Sequence, residues 1–138
     1  MIENKAYIFL VHANAEIGGG YLRRSLNIAN ELSLKVSKNR IGFLHWSLDE
    51  SFVSLLSSYD SQTTDKNNLI DFLTRLSQNT RGLSLIVDSD DEEVHSLFFQ
   101  RKLKELGIRS AYFTVDSGIR YECDMLINPS ILALHQAY

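Results

Sequence analysis

Cysteine and proline occur once each in 138 residues, as Cys123 and Pro129. A lone cysteine excludes an intrachain disulfide framework and a cysteine-based zinc site, so stability has to come from an apolar core. No apolar run reaches the roughly 20 residues that a membrane-spanning helix requires. The start, Met1-Ile2-Glu3-Asn4-Lys5, lacks the layout of a signal peptide, and the expected location is cytoplasmic. Basic charge is not in surplus either: 14 Lys and Arg stand against 17 Asp and Glu, a net charge of −3 with a pI near 5.8. Duplex nucleic acid needs a concentrated basic face, so it is not an expected partner, and Arg23 and Arg24 are a local feature. No histidine pair has ligand spacing and the acidic run at residues 88–93 is not an EF-hand loop, so neither metal nor cofactor is expected.

What the chain does contain is a regular alternation of short apolar runs and amphipathic segments. Ala6 to Val11 reads as a strand buried on both faces, and the turn Ile17-Gly18-Gly19-Gly20 leads into a helix beginning near Gly20 or Tyr21, with Leu22, Leu26, Ile28, Ala29 and Leu32 at helical spacing. That helix is expected to end near Leu34. Arg40 to His45 is a second strand, followed by a helix capped by Asp49 with Phe52, Val53, Leu55 and Leu56 inward. Asp60 to Thr63 reads as a weak edge strand. A helix through Leu69, Ile70, Phe72, Leu73 and Leu76 stops at Gly82. Leu83 to Val87 is a strand ending on Asp88, and one helix is expected through Val94, Leu97, Phe98, Leu103 and Leu106, stopped by Gly107. Arg109 to Val115 ends on Asp116, and Asp124 to Asn128 gives a last short strand. Strands separated by helical crossovers imply a single α/β domain over residues 1–138: a doubly wound, mostly parallel sheet with helices on both faces, Rossmann-like in class.

In such a sheet ligands bind beyond the carboxyl ends of the strands, where the strand order reverses. The residues at those ends are His12 and Asn14, His45 and Trp46, Asp88 and Asp90, and Asp116 and Ser117. The first strand and the Leu83 strand should be neighbours, bringing the glycine turn, His12 and Asp88 to one crevice. A glycine turn opening a helix presents free N–H groups and the positive end of a helix dipole, suited to phosphate or carboxylate. The competing reading is a tight turn whose glycines let helix pack on strand. Asp88 has an alternative as well, as a helix-capping carboxylate.

Three stretches together resemble a known family: Glu16-Ile17-Gly18-Gly19-Gly20-Tyr21-Leu22-Arg23-Arg24-Ser25-Leu26, Leu85-Ile86-Val87-Asp88, and Val115-Asp116-Ser117-Gly118 with Cys123-Asp124-Met125-Leu126-Ile127-Asn128-Pro129. They are similar to the amino-terminal half of the UDP-sugar hydrolases of pseudaminic acid biosynthesis and the related spore-coat polysaccharide proteins. The resemblance implies one half of a glycosyltransferase-B-like fold, water attack on a UDP-linked sugar, and a uridine site supplied largely by a second domain. It implies Tyr21, His12 and Asp88 as catalytic groups and Gly18, Gly19, Gly20, Arg24 and Asp116 as substrate contacts. The partners it implies are a nucleotide sugar or sugar phosphate, with a second domain or a homodimer partner completing the cleft. The family turn carries a histidine where this chain has Tyr21, and its first strand ends in R-x-D where this chain has Leu10 and His12. A tyrosine titrates near 10 and is a poor base at neutral pH. Two functions therefore follow: the sugar-side domain of a nucleotide-sugar hydrolase or glycosyltransferase-like protein, or a non-catalytic binding or scaffolding module derived from it.

Overall fold

The computed structural model describes residues 2–12, 20–46, 49–113 and 120–127. Six strands form one parallel sheet: β1 (Tyr7–Val11), β2 (Ile41–His45), β3 (Asp60–Thr63), β4 (Ser84–Asp88), β5 (Arg109–Phe113) and β6 (Met125–Ile127). Their order is β3-β2-β1-β4-β5-β6, so the chain winds outward from β1 to β3, returns to β4 beside β1, and winds outward again to β6. This α/β arrangement is Rossmann-like, and its switch point lies between β1 and β4. The central strands β1 and β2 are almost wholly buried and correspondingly apolar, because both faces of the sheet are covered. The edges differ: β3 is the polar run Asp60-Ser61-Gln62-Thr63, and β6 leaves Met125 and Leu126 half-exposed.

The helices divide between the faces according to the half of the chain that supplies them. α1 (Gly20–Leu32) packs Leu22 and Ala29 against Phe9, Val11, Ile41 and Phe43, and Leu56 and Tyr59 extend that cluster. On the other face, α3 (Leu69–Asn79) contributes Leu69, Phe72, Leu73 and Leu76, which pack with Ile8, Leu10, Leu44, Leu85 and Val87. The helix expected after Asp49 is one turn of α-helix, α2 (Glu50–Val53), tightening into a 3-10 turn at Ser54–Leu56. Asp49 occupies the cap position without a side-chain hydrogen bond, and only Leu56 is buried, so a short segment suffices to seat it.

The acidic run opens two helices in place of the one expected. α4 (Glu92–His95) is capped by Asp91, whose carboxylate accepts the Glu93 N–H at 2.9 Å. Ser96 then turns to extended backbone and caps α5 (Leu97–Glu105), its hydroxyl accepting the Phe99 N–H at 3.1 Å. The break shifts the apolar stripe by one position: Phe99 is buried, whereas Phe98, expected inside, is 74% exposed. Gly82 and Gly107 follow α3 and α5 with φ of 74° and 73°, the left-handed turn for which glycine is favoured.

Candidate functional site

The strand register places the site residues before any side-chain contact is considered. Val11 of β1 pairs with His45 of β2 and with Asp88 of β4, so these three side chains leave the sheet on one face. It is the α1 face, since Val11, Phe43 and Ile86 pack with Leu22 there. One residue further on, His12, Trp46 and Ser89 belong to the opposite face.

On the α1 face, Asp88 is fully buried and accepts three hydrogen bonds. Arg24, one turn into α1, donates from Nε to Oδ2 at 3.1 Å and from Nη2 to Oδ1, and the Ser25 hydroxyl donates to Oδ2 at 2.8 Å. The two-pronged geometry matches a guanidinium to a carboxylate edge to edge. Arg24 also lies over the rings of Tyr21, at 5.5 Å, and Phe113, at 4.7 Å. Asp88 thus joins α1 to β4, and the helix-capping alternative falls to Asp91. Among the described residues, the first turn of α1 holds no acidic residue. At Gly20 a Cβ would meet nothing within 4 Å, so packing of helix on strand does not require glycine there.

Across the sheet, His12 is bracketed by hydrogen bonds. Its Nε2 lies 3.1 Å from Asp90 Oδ1 and its Nδ1 lies 2.6 Å from Ser89 Oγ, while its ring stacks on Trp46 with centroids 5.2 Å apart. A carboxylate only accepts, so Nε2 carries the hydrogen and Nδ1 keeps a lone pair that receives the Ser89 O–H. Burial lowers the His12 pKa below the usual imidazole value, and the carboxylates of Asp90 and Asp91 oppose that without reversing it. The ring is neutral at pH 7 and basic at Nδ1. Tyr21 sits nearby, its ring centroid 6.4 Å from that of His12. Burial, reinforced by the charge of Asp90, raises its pKa, so it is a hydrogen-bond donor and not a base.

A second layer holds this loop. Ser89 Oγ accepts the Asp91 N–H at 3.0 Å, and the Ser89 carbonyl accepts from His95 Nε2. The other His95 nitrogen then accepts from the Tyr121 hydroxyl at 2.6 Å. Lys66 reaches Asp91 at 2.5 Å from the start of the neighbouring helix, closing the outer side.

The structure therefore brings His12, Tyr21, Arg24 and Asp88 to one end of the sheet, with Gly20 opening α1; Gly18, Gly19 and Asp116 lie outside the described residues. Ser25, Ser89, His95 and Tyr121 complete the network and were not singled out by spacing. For Ser89 a signal did exist, because the residue after a strand's last buried position projects from the face opposite Asp88. No family model and no curated protein matches the chain.

Proposed function

We propose that the chain is the amino-terminal, sugar-side domain of a nucleotide-sugar hydrolase or glycosyltransferase-like protein of surface-polysaccharide or nonulosonic acid biosynthesis, with the glycosyltransferase-B-like architecture that its motifs resemble. The crevice between β1 and β4 takes the sugar-phosphate part of the ligand. The observation that carries this reading is the Arg24–Asp88 pair at the switch point. Asp88 occupies one edge of the guanidinium and fixes it near the start of α1, and the 30% of the Arg24 side chain left in solvent is available to meet a phosphate oxygen. His12 is the proton acceptor. A water gives its proton to Nδ1 through the Ser89 hydroxyl, the resulting hydroxide attacks the anomeric carbon, and the carbon–oxygen bond to the nucleotide breaks with UDP leaving. Tyr21 donates a hydrogen bond to the departing oxygen, and a second domain or homodimer partner supplies the uridine wall. The location is cytoplasmic.

A second reading, a non-catalytic sugar-nucleotide module, is favoured by one observation: Asp88 is sealed from solvent, with both its oxygens held by Arg24 and Ser25. Calorimetric titration with UDP-N-acetylhexosamines, combined with an assay of UDP release, separates the two. Release that disappears in His12→Ala while binding persists supports the enzyme. Binding without release in the unaltered chain supports the module, and absence of both overturns the two together.

A further inference from the structure

Two consecutive residues of the loop after β4 grip the two nitrogens of one imidazole. Ser89 Oγ stands 2.6 Å from His12 Nδ1, and Asp90 Oδ1 stands 3.1 Å from Nε2. Among the described residues no other polar group reaches either nitrogen, since Trp46 only stacks on the ring and Tyr21 only tilts beside it. The two partners are not equivalent. Ser89 Oγ already accepts the Asp91 N–H at 3.0 Å, which leaves it one lone pair and one hydrogen. A hydroxyl so placed can donate to Nδ1 or accept from it, and suits either neutral form of the ring. A carboxylate only accepts, so it welcomes a hydrogen on Nε2 and opposes a lone pair there.

We infer that Asp90 is the positioning residue of this site: it alone selects the His12 tautomer, and through that choice it turns the Ser89 O–H toward Nδ1. In the opposite tautomer Nδ1–H donates to Ser89, the hydroxyl hydrogen points away from the ring, and no proton can pass through Ser89 to Nδ1. The place of Asp90 in the reaction rests on the reading of His12 as the proton acceptor; its choice of tautomer does not. The same carboxylate faces the positive charge that appears when the ring takes a proton. The other titratable groups around the ring are Asp91 on the same loop, Lys66 before α3 and Tyr21 on α1. Lys66 is held by Asp91 at 2.5 Å, whereas Asp90 has no cationic partner besides His12 among the described residues. The Asp90 side chain keeps 52% of its surface in solvent, so Asp90→Asn removes the charge without emptying a place in the core.

The test reads the nitrogen-15 spectrum of the His12 ring in the ligand-free chain at alkaline pH, with His12→Gln assigning the signals. The unaltered chain should show one neutral form, with hydrogen on Nε2 and none on Nδ1. In Asp90→Asn the amide can turn either its oxygen or its nitrogen to Nε2, and the form with hydrogen on Nδ1 should appear. Trp46 is the only tryptophan of the chain and lies against the ring, so its fluorescence follows the charge on His12. The midpoint of that titration should fall by about one pH unit in Asp90→Asn. A single Nε2–H form that persists in Asp90→Asn, or a mixture already present in the unaltered chain, overturns the selection by Asp90 and leaves His12 as the proton acceptor. The hydrolase reading fails separately, if the unaltered chain releases no UDP, and the spectra then still decide the tautomer. Where UDP is released, Asp90→Asn should lower kcat by about tenfold with KM unchanged, and an undiminished kcat removes Asp90 from the reaction.

Discussion

Removing either member of the Arg24–Asp88 pair should destabilise the fold unequally, and the inequality follows from burial. Asp88 is fully buried, whereas the Arg24 side chain keeps 30% of its surface in solvent. Arg24→Met leaves a buried carboxylate with only the Ser25 hydroxyl to answer it. Orphaning a charge of that kind costs about 3–5 kcal/mol. Asp88→Asn leaves a guanidinium that water can reach, and the loss is that of charge-assisted hydrogen bonds, about 1.5–3 kcal/mol. The double variant Arg24→Met/Asp88→Leu removes both charges together and should recover much of the loss, since an apolar pair of similar volume is often as stable as the ion pair it replaces. Urea unfolding at pH 7 on the parent and the three variants compares these losses directly. Arg24→Met should also lower Tm by about 10–20 °C, taking about 4 °C per kcal/mol for a chain of this size. If Asp88→Asn costs as much as Arg24→Met, or the double variant is as unstable as the worse single one, the assignment of Asp88 as a desolvated charge neutralised by Arg24 fails.

Three further outcomes can be measured. The Tyr112 hydroxyl is buried and donates to the Val94 carbonyl at 2.6 Å, so Tyr112→Phe should cost about 1–2 kcal/mol in the same unfolding assay; a loss below about 0.3 kcal/mol would mean that the carbonyl finds another donor. Stability should decline as pH falls below about 6.5, because burial lowers the pKa of His12 and His45 in the fold and the unfolded chain then binds more protons. The contribution is complete above the unfolded histidine pKa and is lost progressively toward the folded values; His45→Phe should flatten the slope between pH 7.5 and 5, and an unchanged slope would assign it elsewhere. Ser96→Ala removes the cap of α5 and should cost about 1 kcal/mol, with Ser96→Asp restoring most of it; equal stability of Ser96→Ala and the parent would show that the break between α4 and α5 is set by packing alone.

The alternation of strands and helices was legible because burial on both faces leaves an unmistakable mark, as in Tyr7 to Val11 and Ile41 to His45, where side chains of either parity are apolar. The break at Ser96 was not, since a serine in mid-helix and a serine capping a new helix look alike in sequence. The neighbouring Phe98 and Phe99 offered two apolar stripes, and only the packing of α5 on the sheet chooses Phe99. At the switch point, the strand-end rule named His12, His45 and Asp88 by position. Their divided roles were out of reach, because they depend on pleat parity: Asp88 and His45 face α1, while Ser89 faces His12. The joining of Arg24 to Asp88 requires both the β1–β4 register and the rotation of α1 about its axis, and neither is a local property of the chain.

The sequence distances within the site carry a consequence for its assembly. Arg24 and Asp88 are 64 residues apart, and His12 and Ser89 are 77 apart. Everything contributed by the first half of the chain waits for β4 to insert beside β1, which is the return step of the winding and the costliest loop to close. Until then, Arg24 and His12 lack the hydrogen-bond partners that β4 and the loop after it supply. The Arg24–Asp88 and His12–Ser89 contacts therefore form together when β4 docks, and a chain folded only as far as β3 has half of a sheet and neither contact.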